Sequence, residues 1–558
     1  MALDIDDFGE RSLRTLRLWG GTLFFFSGLT GLIYQVLWTR RLNLTFGHSI
    51  LAVSTVVTAY MGGLALGSAL GGRWSDRHLR ASQKASWFLA RYGHLEAFIG
   101  IWALLSLPLL DGVEWFYLTM SSRGVEGSSL HLLAFLASAL VLLPPTTAMG
   151  ATLPLLSCLY NNHPAGLGKT LARLYSTNTF GAVVGVALAG FLFLPVLGFK
   201  VSMALSAALN LLIGATAATV SRRLQGRLRS ETLVERPSVV PASLLLPLGF
   251  AITGALSMVF QVGWTRSLSL SLGCSVYAFS SILLVFLGGI TLGSAFYARR
   301  KTSTRPDFGH LSVVFAGIGL SGAMAIFLLG YLPLAFVRFF PYVSDHYWQV
   351  LLLDLALCCV VLIVPTWLMG LSFPMVTQLY HDSSSGQLGQ SVGNIYGANT
   401  LGCIVGSFAA GFVLIPSLGV QRSLQLAACG FFWVAAIYAY QSRKSVARFA
   451  AAILLLLGPT SVFLPNWDSA LMSAGVATHA SGKLSLDNFV RHQPMFYGDG
   501  ISGSVAILCW APGGLTLRVN GKPESSLAVP DRLDQTLLGL LPHFYVRDPK
   551  HVGVIGLG

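Results

Sequence analysis

Long apolar runs separated by short polar loops fill the chain from residue 18 to residue 440. Each run is about 20 residues long, the length that a helix needs to cross roughly 30 Å of hydrocarbon. The pattern predicts a mainly α-helical, multi-pass membrane protein. We predict twelve spans, near residues 18–38, 49–71, 87–110, 130–146, 174–196, 199–220, 243–264, 274–298, 311–333, 347–367, 395–417 and 423–440.

The two sets of six spans repeat each other in sequence. Gln35–Arg40 reads QVLWTR and returns as Gln261–Arg266, QVGWTR, at an offset of 261 − 35 = 226 residues. Asn178 and Asn399 belong to a later matching run at an offset of 399 − 178 = 221. Because each copy has an even number of spans, both enter the membrane in the same direction. Duplicated bundles of this kind build many transporter folds.

Composition and charge agree with a membrane protein. The chain is 54% hydrophobic and 10% charged, whereas soluble domains have about 25% charged residues. A net charge of +14 by itself suggests a nucleic-acid partner. The distribution of the basic residues along the chain argues against this, and we predict no nucleic-acid partner. The basic residues lie in alternate loops, for example Arg11, Arg77, Arg223, Arg299 and Arg443. The positive-inside rule therefore predicts a cell (inner or plasma) membrane protein with a cytoplasmic N-terminus. The seven cysteines have no metal-site or disulfide spacing, so we predict no metal.

The polar segment after the second span carries a recognisable motif. Gly72–Arg80 reads GRWSDRHLR and resembles the G-x-x-x-D-R-x-G-R loop of the major facilitator superfamily, with Leu79 in place of a glycine. The second copy has Tyr297–Lys301 at this place, without an acid. The resemblance implies a major-facilitator-like fold and a transporter.

Prolines recur at matching places in the two halves. Pro145 and Met149 match Pro365 and Met369 at an offset of 220. Proline breaks or kinks a helix, and interruptions at corresponding positions indicate a central site. The alternative is a pair of re-entrant turns that only close the bundle. If the breaks line a cavity, cysteines placed at Met149 and Met369 should react with a water-soluble thiol reagent, whereas Cys403 should not.

Two acids lie inside predicted spans. Glu96 is in the third span and Asp354 in the tenth, and intramembrane acids are functional by default because their burial is costly. Proton coupling is one reading. In the other, Glu96 pairs with Arg91 or His94 as a structural clasp, and Asp354 lies near the interface beside His346.

Repeated amides complete the candidate intramembrane site. Interhelical hydrogen bonds explain such amides well, and the repeated glycines predict close helix packing. The candidate site comprises Glu96, Asp354, Pro145, Met149, Pro365, Met369, Asn178, Asn399, Gln35 and Gln261.

Residues 467–558 differ in character from the spans. Two β-runs flank the glycine-rich turn 512–514, which predicts a hairpin. Asp531 can cap an amphipathic helix. Gly556 and Gly558 then follow an apolar run that predicts a buried strand entering a turn.

That order resembles the start of spermidine synthases, a small β-domain followed by a Rossmann-like sheet. Together with the bundle, the whole chain resembles fused major-facilitator/spermidine-synthase proteins. The resemblance implies an aminopropyltransferase that uses decarboxylated S-adenosylmethionine, contacted through Gly556, Gly558 and Gln535. No residue matches the catalytic acid of that family, so we expect a truncated module with no catalytic residue, or one completed by a separate chain.

The sequence therefore predicts five segments: a six-span repeat (1–221), a basic cytoplasmic linker (222–242), a second six-span repeat (243–442), a linker with a possible thirteenth span (443–466) and a truncated synthase-like module (467–558). The main hypothesis is a catalytically incomplete, polyamine-related spermidine-synthase-like membrane protein. The alternative is a major-facilitator-like transporter of a small polar or cationic solute, and a third is a structural anchor for a partner enzyme. The thirteenth run is short, but we favour crossing, which would place the module outside the cytoplasm.

Overall fold

The computed structural model describes most of the chain. The described residues are 2–46, 50–80, 85–125, 127–160, 167–224, 244–300, 305–383, 388–442, 445–479, 494–501, 503–511, 514–546 and 550. The predicted linker 222–242 lies largely outside them, as do Gly556 and Gly558.

Six helices form the first half of the bundle, and the apolar runs of the sequence form their central parts. They are α1 (Ala2–Phe46), α2 (Ile50–Arg80), α3 (Ala85–Ser122), α4 (Gly127–Tyr160), α5 (Leu167–Leu188) and α6 (Gly198–Leu224). A π-helical stretch, Ala189–Leu197, joins α5 to α6 and contains Pro195. Because proline has no N–H to donate, a wider turn tolerates it there.

The second half repeats this plan. Its helices are α7 (Leu245–Leu272), α8 (Val276–Arg299), α9 (Phe308–Phe339), α10 (Tyr347–Ser383), α11 (Leu388–Phe408), the short α12 (Ile415–Leu418) and α13 (Val420–Gln441). A π-helical stretch, Ala409–Leu414, joins α11 to α12, at the place that Ala189–Leu197 occupies in the first half.

Helix contacts follow the sequence repeat. In the first half α1 packs on α5, α2 on α4 and α3 on α6, and in the second α7 packs on α11, α8 on α10 and α9 on α13. The halves meet where α2 packs on α11 and α5 packs on α8. These two contacts are equivalent when the halves exchange places, so the bundle has an approximate two-fold axis.

The membrane prediction is confirmed. Among the described residues, eleven stretches are long and apolar enough to cross a membrane, and one of them, Leu167–Arg223, holds both α5 and α6. One detail of the motif reading is wrong: Gly72–Arg80 is not a loop, because α2 remains helical as far as Arg80.

Glycines set the spacing between packed helices. An added Cβ on Gly67 of α2 would lie 1.9 Å from the carbonyl oxygen of Thr147 on α4. Gly293 of α8 has the same relation to Trp367 of α10, again at 1.9 Å. Only glycine permits this approach of two backbones, which is how membrane helices gain packing energy. The prediction that repeated glycines serve close packing holds for most of them, but not for Gly62 and its copy Gly288, where an added Cβ would meet no atom closer than 3.8 Å.

The proline-containing helices are not broken. Both α4 and α10 run continuously through their prolines, so the predicted breaks and re-entrant turns are wrong. Neighbouring donors bind two of the carbonyls that the prolines leave free. Trp102 Nε1 donates to the Val141 carbonyl, four residues before Pro145, at 2.9 Å. Ser294 Oγ donates to the Gly370 carbonyl, four residues before Pro374, at 2.7 Å.

The chain then returns along the bundle. α14 (Ser445–Thr460) follows the end of α13 and runs back beside it, because Ser461 Oγ donates to the carbonyl of Gln425, near the start of α13, at 3.0 Å. A thirteenth apolar run that crosses the membrane must return along the bundle in this way. The short helices α15 (Ser469–Ser473) and α16 (Val476–His479) come next.

A small antiparallel sheet follows, in the order β1 (Pro494–Asp499), β2 (Ser504–Ala511), β3 (Gly514–Val519) and β4 (Lys522–Ser526), and then α17 (Val529–Tyr545). The predicted hairpin is β2–β3, where Ile507 faces Leu517. Arg518 of β3 is buried and donates to the carbonyls of Ser473 and Ala474 at 3.0 and 2.7 Å. Its burial lowers the guanidinium pKa to about 10.

The sheet is docked on the second half of the bundle. Arg266 of α7 donates to the Ile501 carbonyl, and Asp499 accepts from the Val420 N–H, at the start of α13, at 2.9 Å. These contacts lie where α7 ends and α13 begins. We call this the sheet end of the bundle, and the end at which α6, α8 and α13 terminate the basic end.

The glycine spacing can be tested within one helix. Gly293→Ala should destabilise the detergent-solubilised protein by about 1–3 kcal/mol, the usual effect of overpacking. Gly288→Ala on the same helix is the matched control, because a Cβ there meets nothing within 4 Å. Equal unfolding temperatures for the two variants would contradict this account of the helix spacing.

The route of α14 predicts the side on which the sheet lies. A fluorescent protein that matures only in the cytoplasm should fluoresce when fused after Ser442. The same protein fused after Gly558 should stay dark, because the intervening helix returns to the sheet end. Fluorescence from both fusions would show that α14 does not cross.

Candidate functional site

A cavity of about 290 Å³ lies between the two halves. Helices α1, α2, α4 and α5 line one side and α7, α8, α10 and α11 line the other, with α9 and α13 contributing aromatic side chains. The cavity therefore lies on the approximate two-fold axis. It is at the small end of the range for small-molecule sites, roughly 300–1,000 Å³.

Many lining residues come in pairs related by the repeat. Six predicted site residues are among them, and the pairs are Gln35/Gln261, Asn178/Asn399, Met149/Met369, Tyr175/Tyr396, Thr179/Thr400 and Thr152/Ser372. These pairs thus place matching side chains on both walls of the site.

The two pairs of amides behave differently. Asn178 Nδ2 donates across to the Phe24 carbonyl of α1 at 3.0 Å, as interhelical bonding predicts, whereas Asn399 Nδ2 contacts Cys403 on its own helix at 3.8 Å. The amides of Gln35 and Gln261 line the cavity and bond to none of the described side chains or backbone groups. These two amides are therefore available to a ligand.

The described lining contains no Asp, Glu, Lys, Arg or His. Its polar groups are amides and hydroxyls, and the rest is mainly aromatic and sulfur-containing. The aromatic residues are Phe24, Tyr60, Tyr175, Phe250, Phe286, Phe315, Phe373, Tyr396 and Phe431. Aromatic faces accept cations, and none of the lining side chains that the structure describes offers an anion a counter-charge.

Four predicted site residues do not reach the cavity lining. Pro145 and Pro365 are buried in α4 and α10, one helical turn before the lining methionines. Asp354 is buried on α10, and its Oδ1 has no hydrogen-bond partner among the described residues. Glu96 is fully buried.

The clasp proposed for Glu96 is wrong. Arg91 and His94 are exposed on the same helix, and Arg91 instead lies over the ring of Trp87, 5.4 Å from its centroid. Among the described residues no basic nitrogen comes within 4.0 Å of Glu96.

Sequence reasoning missed several lining residues. Tyr175 and Tyr396 were detectable, because they are repeated at an offset of 396 − 175 = 221. Tyr60, which donates to the Gly31 carbonyl at 3.1 Å, carries no repeat signal. Cys403, which we expected to be shielded, is buried but is among the lining residues, so its reactivity remains to be measured.

Contacts between the halves close the bundle at the basic end. Both Asp76 carboxylate oxygens accept from the first N–H groups of α11, those of Gly389 and Gln390, at 2.9 and 2.7 Å. A carboxylate at a helix N-terminus is stabilised by the free donors and the helix dipole. Near the equivalent contact of α5 with α8, at Gly168, Tyr297 of α8 donates to Gln378 of α10 at 3.1 Å, so this bond lies within the second half.

The C-terminal residues assigned to a nucleoside site gain no support. Gln535 is exposed on α17 and donates to Ser525 at 2.9 Å. Gly556 and Gly558 lie outside the described residues. The described part of the module is an antiparallel sheet with one exposed helix.

Comparison with solved structures identifies the fold. A bacterial homologue of the iron transporter ferroportin, solved in an outward-facing state, matches with a TM-score of 0.50 at 14% identity, over 77% of this chain and 100% of that one. The human organic anion transporter MFSD10 (TETRAN) matches with a TM-score of 0.38 at 16% sequence identity, over 76% of this chain and 99% of that one. The E. coli fucose:proton symporter FucP (N162A) matches with a TM-score of 0.43 at 13% sequence identity, over 78% of this chain and 100% of that one. No family profile and no curated protein matches the sequence.

The first match confirms a major-facilitator-like fold. It also overturns the main functional hypothesis: the spermidine-synthase-like assignment is wrong. No finding supports a synthase fusion, polyamine biosynthesis or a separate synthase chain. The resemblance depended on a hairpin, a helix and a glycine-rich run, and this order recurs in many unrelated folds.

The cavity lining can be tested with thiol chemistry. In a Cys403→Ser background, Met149→Cys and Met369→Cys should both react with a small water-soluble methanethiosulfonate, because both positions line the cavity. The native thiol of Cys403 should react in the unmodified chain. Cys158, which is buried outside the lining, is the internal control. Protection of both engineered thiols would contradict the assigned cavity.

Proposed function

We propose that the protein is a membrane transporter that carries a small polar solute, uncharged or cationic, through the central cavity. One observation carries the proposal: matching residues of the two halves line a single site on the axis that relates them. In transporters built from repeats, the substrate site lies at the repeat interface near the middle of the membrane.

The two Gln amides are the proposed solute-binding groups. Gln35 and Gln261 come from equivalent positions of α1 and α7 and keep their donors and acceptors unused by the described residues. A solute bound between them would contact both halves at once. Solute binding would thereby favour rocking of one half against the other, the usual route to alternating access.

The lining chemistry supports neutral or cationic solutes over anions. A buried anion needs a counter-charge or several strong donors, and no described lining side chain is basic. Aromatic faces such as those of Tyr175 and Tyr396 can hold an organic ammonium group, an interaction of about 0.5–2 kcal/mol.

We further propose that the protein lies in the cell membrane with its basic end in the cytoplasm. The positive-inside rule supports this orientation, and the contacts of Asp76 with α11 then close the cytoplasmic side. The sheet and α17 would lie on the outer surface.

A ligand panel tests the proposal. Hexoses, nucleosides and alkylammonium ions should include compounds that raise the unfolding temperature of the purified protein, whereas dicarboxylates and nucleotides should not. Gln35→Leu and Gln261→Leu should each weaken, by about 2- to 12-fold, the binding of the compounds that raise the unfolding temperature, because a hydrogen bond contributes about 0.5–1.5 kcal/mol net. Gln441→Leu, on the exposed end of α13, is the control. Binding of anions alone, or unchanged binding in both variants, would contradict the proposal.

A further inference from the structure

A buried polar chain lies behind the first-half wall of the cavity. Glu96 of α3 accepts from Asn210 Nδ2 of α6 at 2.6 Å, through Oε2. The side-chain oxygen of Asn210 accepts in turn from the Tyr34 hydroxyl of α1 at 2.8 Å. All three side chains are at most 1% exposed, so the chain crosses three helices without reaching the surface.

The carboxyl group of this chain lacks a full set of partners. Its Oε1 is buried and has no well-formed hydrogen bond among the described residues. The groups that face it are the hydroxyls of Tyr92 on α3 and Ser27 on α1, together with Asn210. Since no basic group of the described residues pairs with Glu96, the carboxylate form would be an uncompensated charge in hydrocarbon surroundings, and such charges are costly.

Ser27 connects Glu96 to the cavity. Its side chain lies beside the carboxyl group and also lines the cavity. One hydroxyl therefore separates the buried acid from the space that a solute would occupy. A hydroxyl both donates and accepts, so it can pass a proton between cavity water and Oε1.

The second half shows what this position looks like without an acid. The repeat offset between α1 and α7 makes Phe260 the equivalent of Tyr34 (34 + 226 = 260). The offset between α6 and α13 makes Phe431 the equivalent of Asn210 (210 + 221 = 431). Phe260 stacks on Phe431 at 5.4 Å between ring centroids. The polar link between Tyr34 and Asn210 is thus an aromatic link in the other half.

Packing fixes the counterpart of Glu96. Gly100 of α3 lies against the Ala207 carbonyl, and Gly319 of α9 lies against the Ala428 carbonyl. Because Ala207 and Ala428 are equivalent positions (207 + 221 = 428), Gly100 and Gly319 are equivalent too, which gives an offset of 319 − 100 = 219 between α3 and α9. Glu96 therefore corresponds to Phe315 (96 + 219 = 315).

Phe315 stacks on Phe431 at 6.4 Å, and both rings line the cavity. The fold therefore accepts an all-aromatic version of the Tyr34–Asn210–Glu96 chain at this place. A structural need for a polar group does not explain Glu96.

We propose that Glu96 is a proton-binding site that couples proton uptake to the opening and closing of the central cavity. The proton comes from cavity water, passes through the Ser27 hydroxyl and binds Oε1, and it leaves by the reverse route. A state that admits water to Ser27 tolerates the carboxylate, whereas a closed state favours the neutral acid. Proton binding therefore shifts the balance between the two states. This inference rests on the proposed transport function.

Infrared spectroscopy tests proton binding directly. During a pH titration of the purified full-length protein, the carbonyl band of a buried protonated carboxyl group should appear. Glu96→Gln should abolish that band, because glutamine keeps the shape and the contact with Asn210 but binds no proton. Asp354→Asn, which removes the buried acid of α10, should leave the band unchanged. Absence of the band, or its persistence in Glu96→Gln, would overturn the proposal.

Thiol accessibility tests the coupling without a known solute. The rate at which Met149→Cys reacts with the methanethiosulfonate should be measured against pH with Glu96 and with Glu96→Gln, both in the Cys403→Ser background. The ionisation of the thiol itself changes the reaction rate equally in the two proteins. The ratio of the two rates therefore measures the effect of Glu96 alone. We expect this ratio to change about fivefold or more across the titration, the lower bound of typical couplings.

The outcomes separate the two proposals. A constant ratio with reactive thiols would overturn the coupling and leave the cavity assignment intact. Thiols that are unreactive at every pH would count against the water-filled cavity and hence against transport. Unfolding temperature and gel-filtration profile identify any variant that fails to fold, and for such a variant Glu96→Phe, which copies the second-half residue, replaces Glu96→Gln.

Discussion

Close contact between helix backbones is the constraint on which the rest of this structure depends. In lipid the hydrophobic effect does not press helices together, so association depends on packing and on hydrogen bonds. Gly67 and Gly293 let α2 meet α4 and α8 meet α10 at van der Waals distance, in the same way in both halves. The repeated contacts give the bundle its two-fold axis, and the cavity with its paired amides lies on that axis.

The functional differences lie where the two halves depart from this symmetry. At the basic end, the carboxylate of Asp76 binds the first N–H groups of α11 across the halves, whereas near the equivalent contact of α5 with α8 Tyr297 donates to Gln378 within the second half. Behind the cavity walls, Glu96 has Phe315 as its counterpart. An exactly symmetric bundle would respond alike on both sides, so these substitutions give each half its own electrostatic character while the shared packing preserves the fold.

The sequence predicts the fold and part of the site well, because both depend on patterns that packing leaves in the chain. Hydrophobic runs and matched glycines define the helices, and repeat offsets identify Gln35, Gln261, Asn178 and Asn399 as cavity residues. The helix breaks at Pro145 and Pro365 were predicted wrongly, since both helices continue through their prolines and Trp102 binds the carbonyl that Pro145 leaves free. Whether Cys403 faces the cavity depends on side-chain direction within a helix, and periodicity alone does not resolve it.

The C-terminal sheet is compatible with a moving bundle because of where it is attached. Its described contacts go to α7 through Arg266 and to α13 through Val420, and Trp467 just before it donates to the Ile326 carbonyl of α9 at 2.8 Å. All three helices belong to the second half. Since these contacts do not bridge the halves, the sheet can travel with the second half as one body. A domain that resembled an enzyme in sequence can thus move with one half of the bundle without tying it to the other, as the proposed transport function requires.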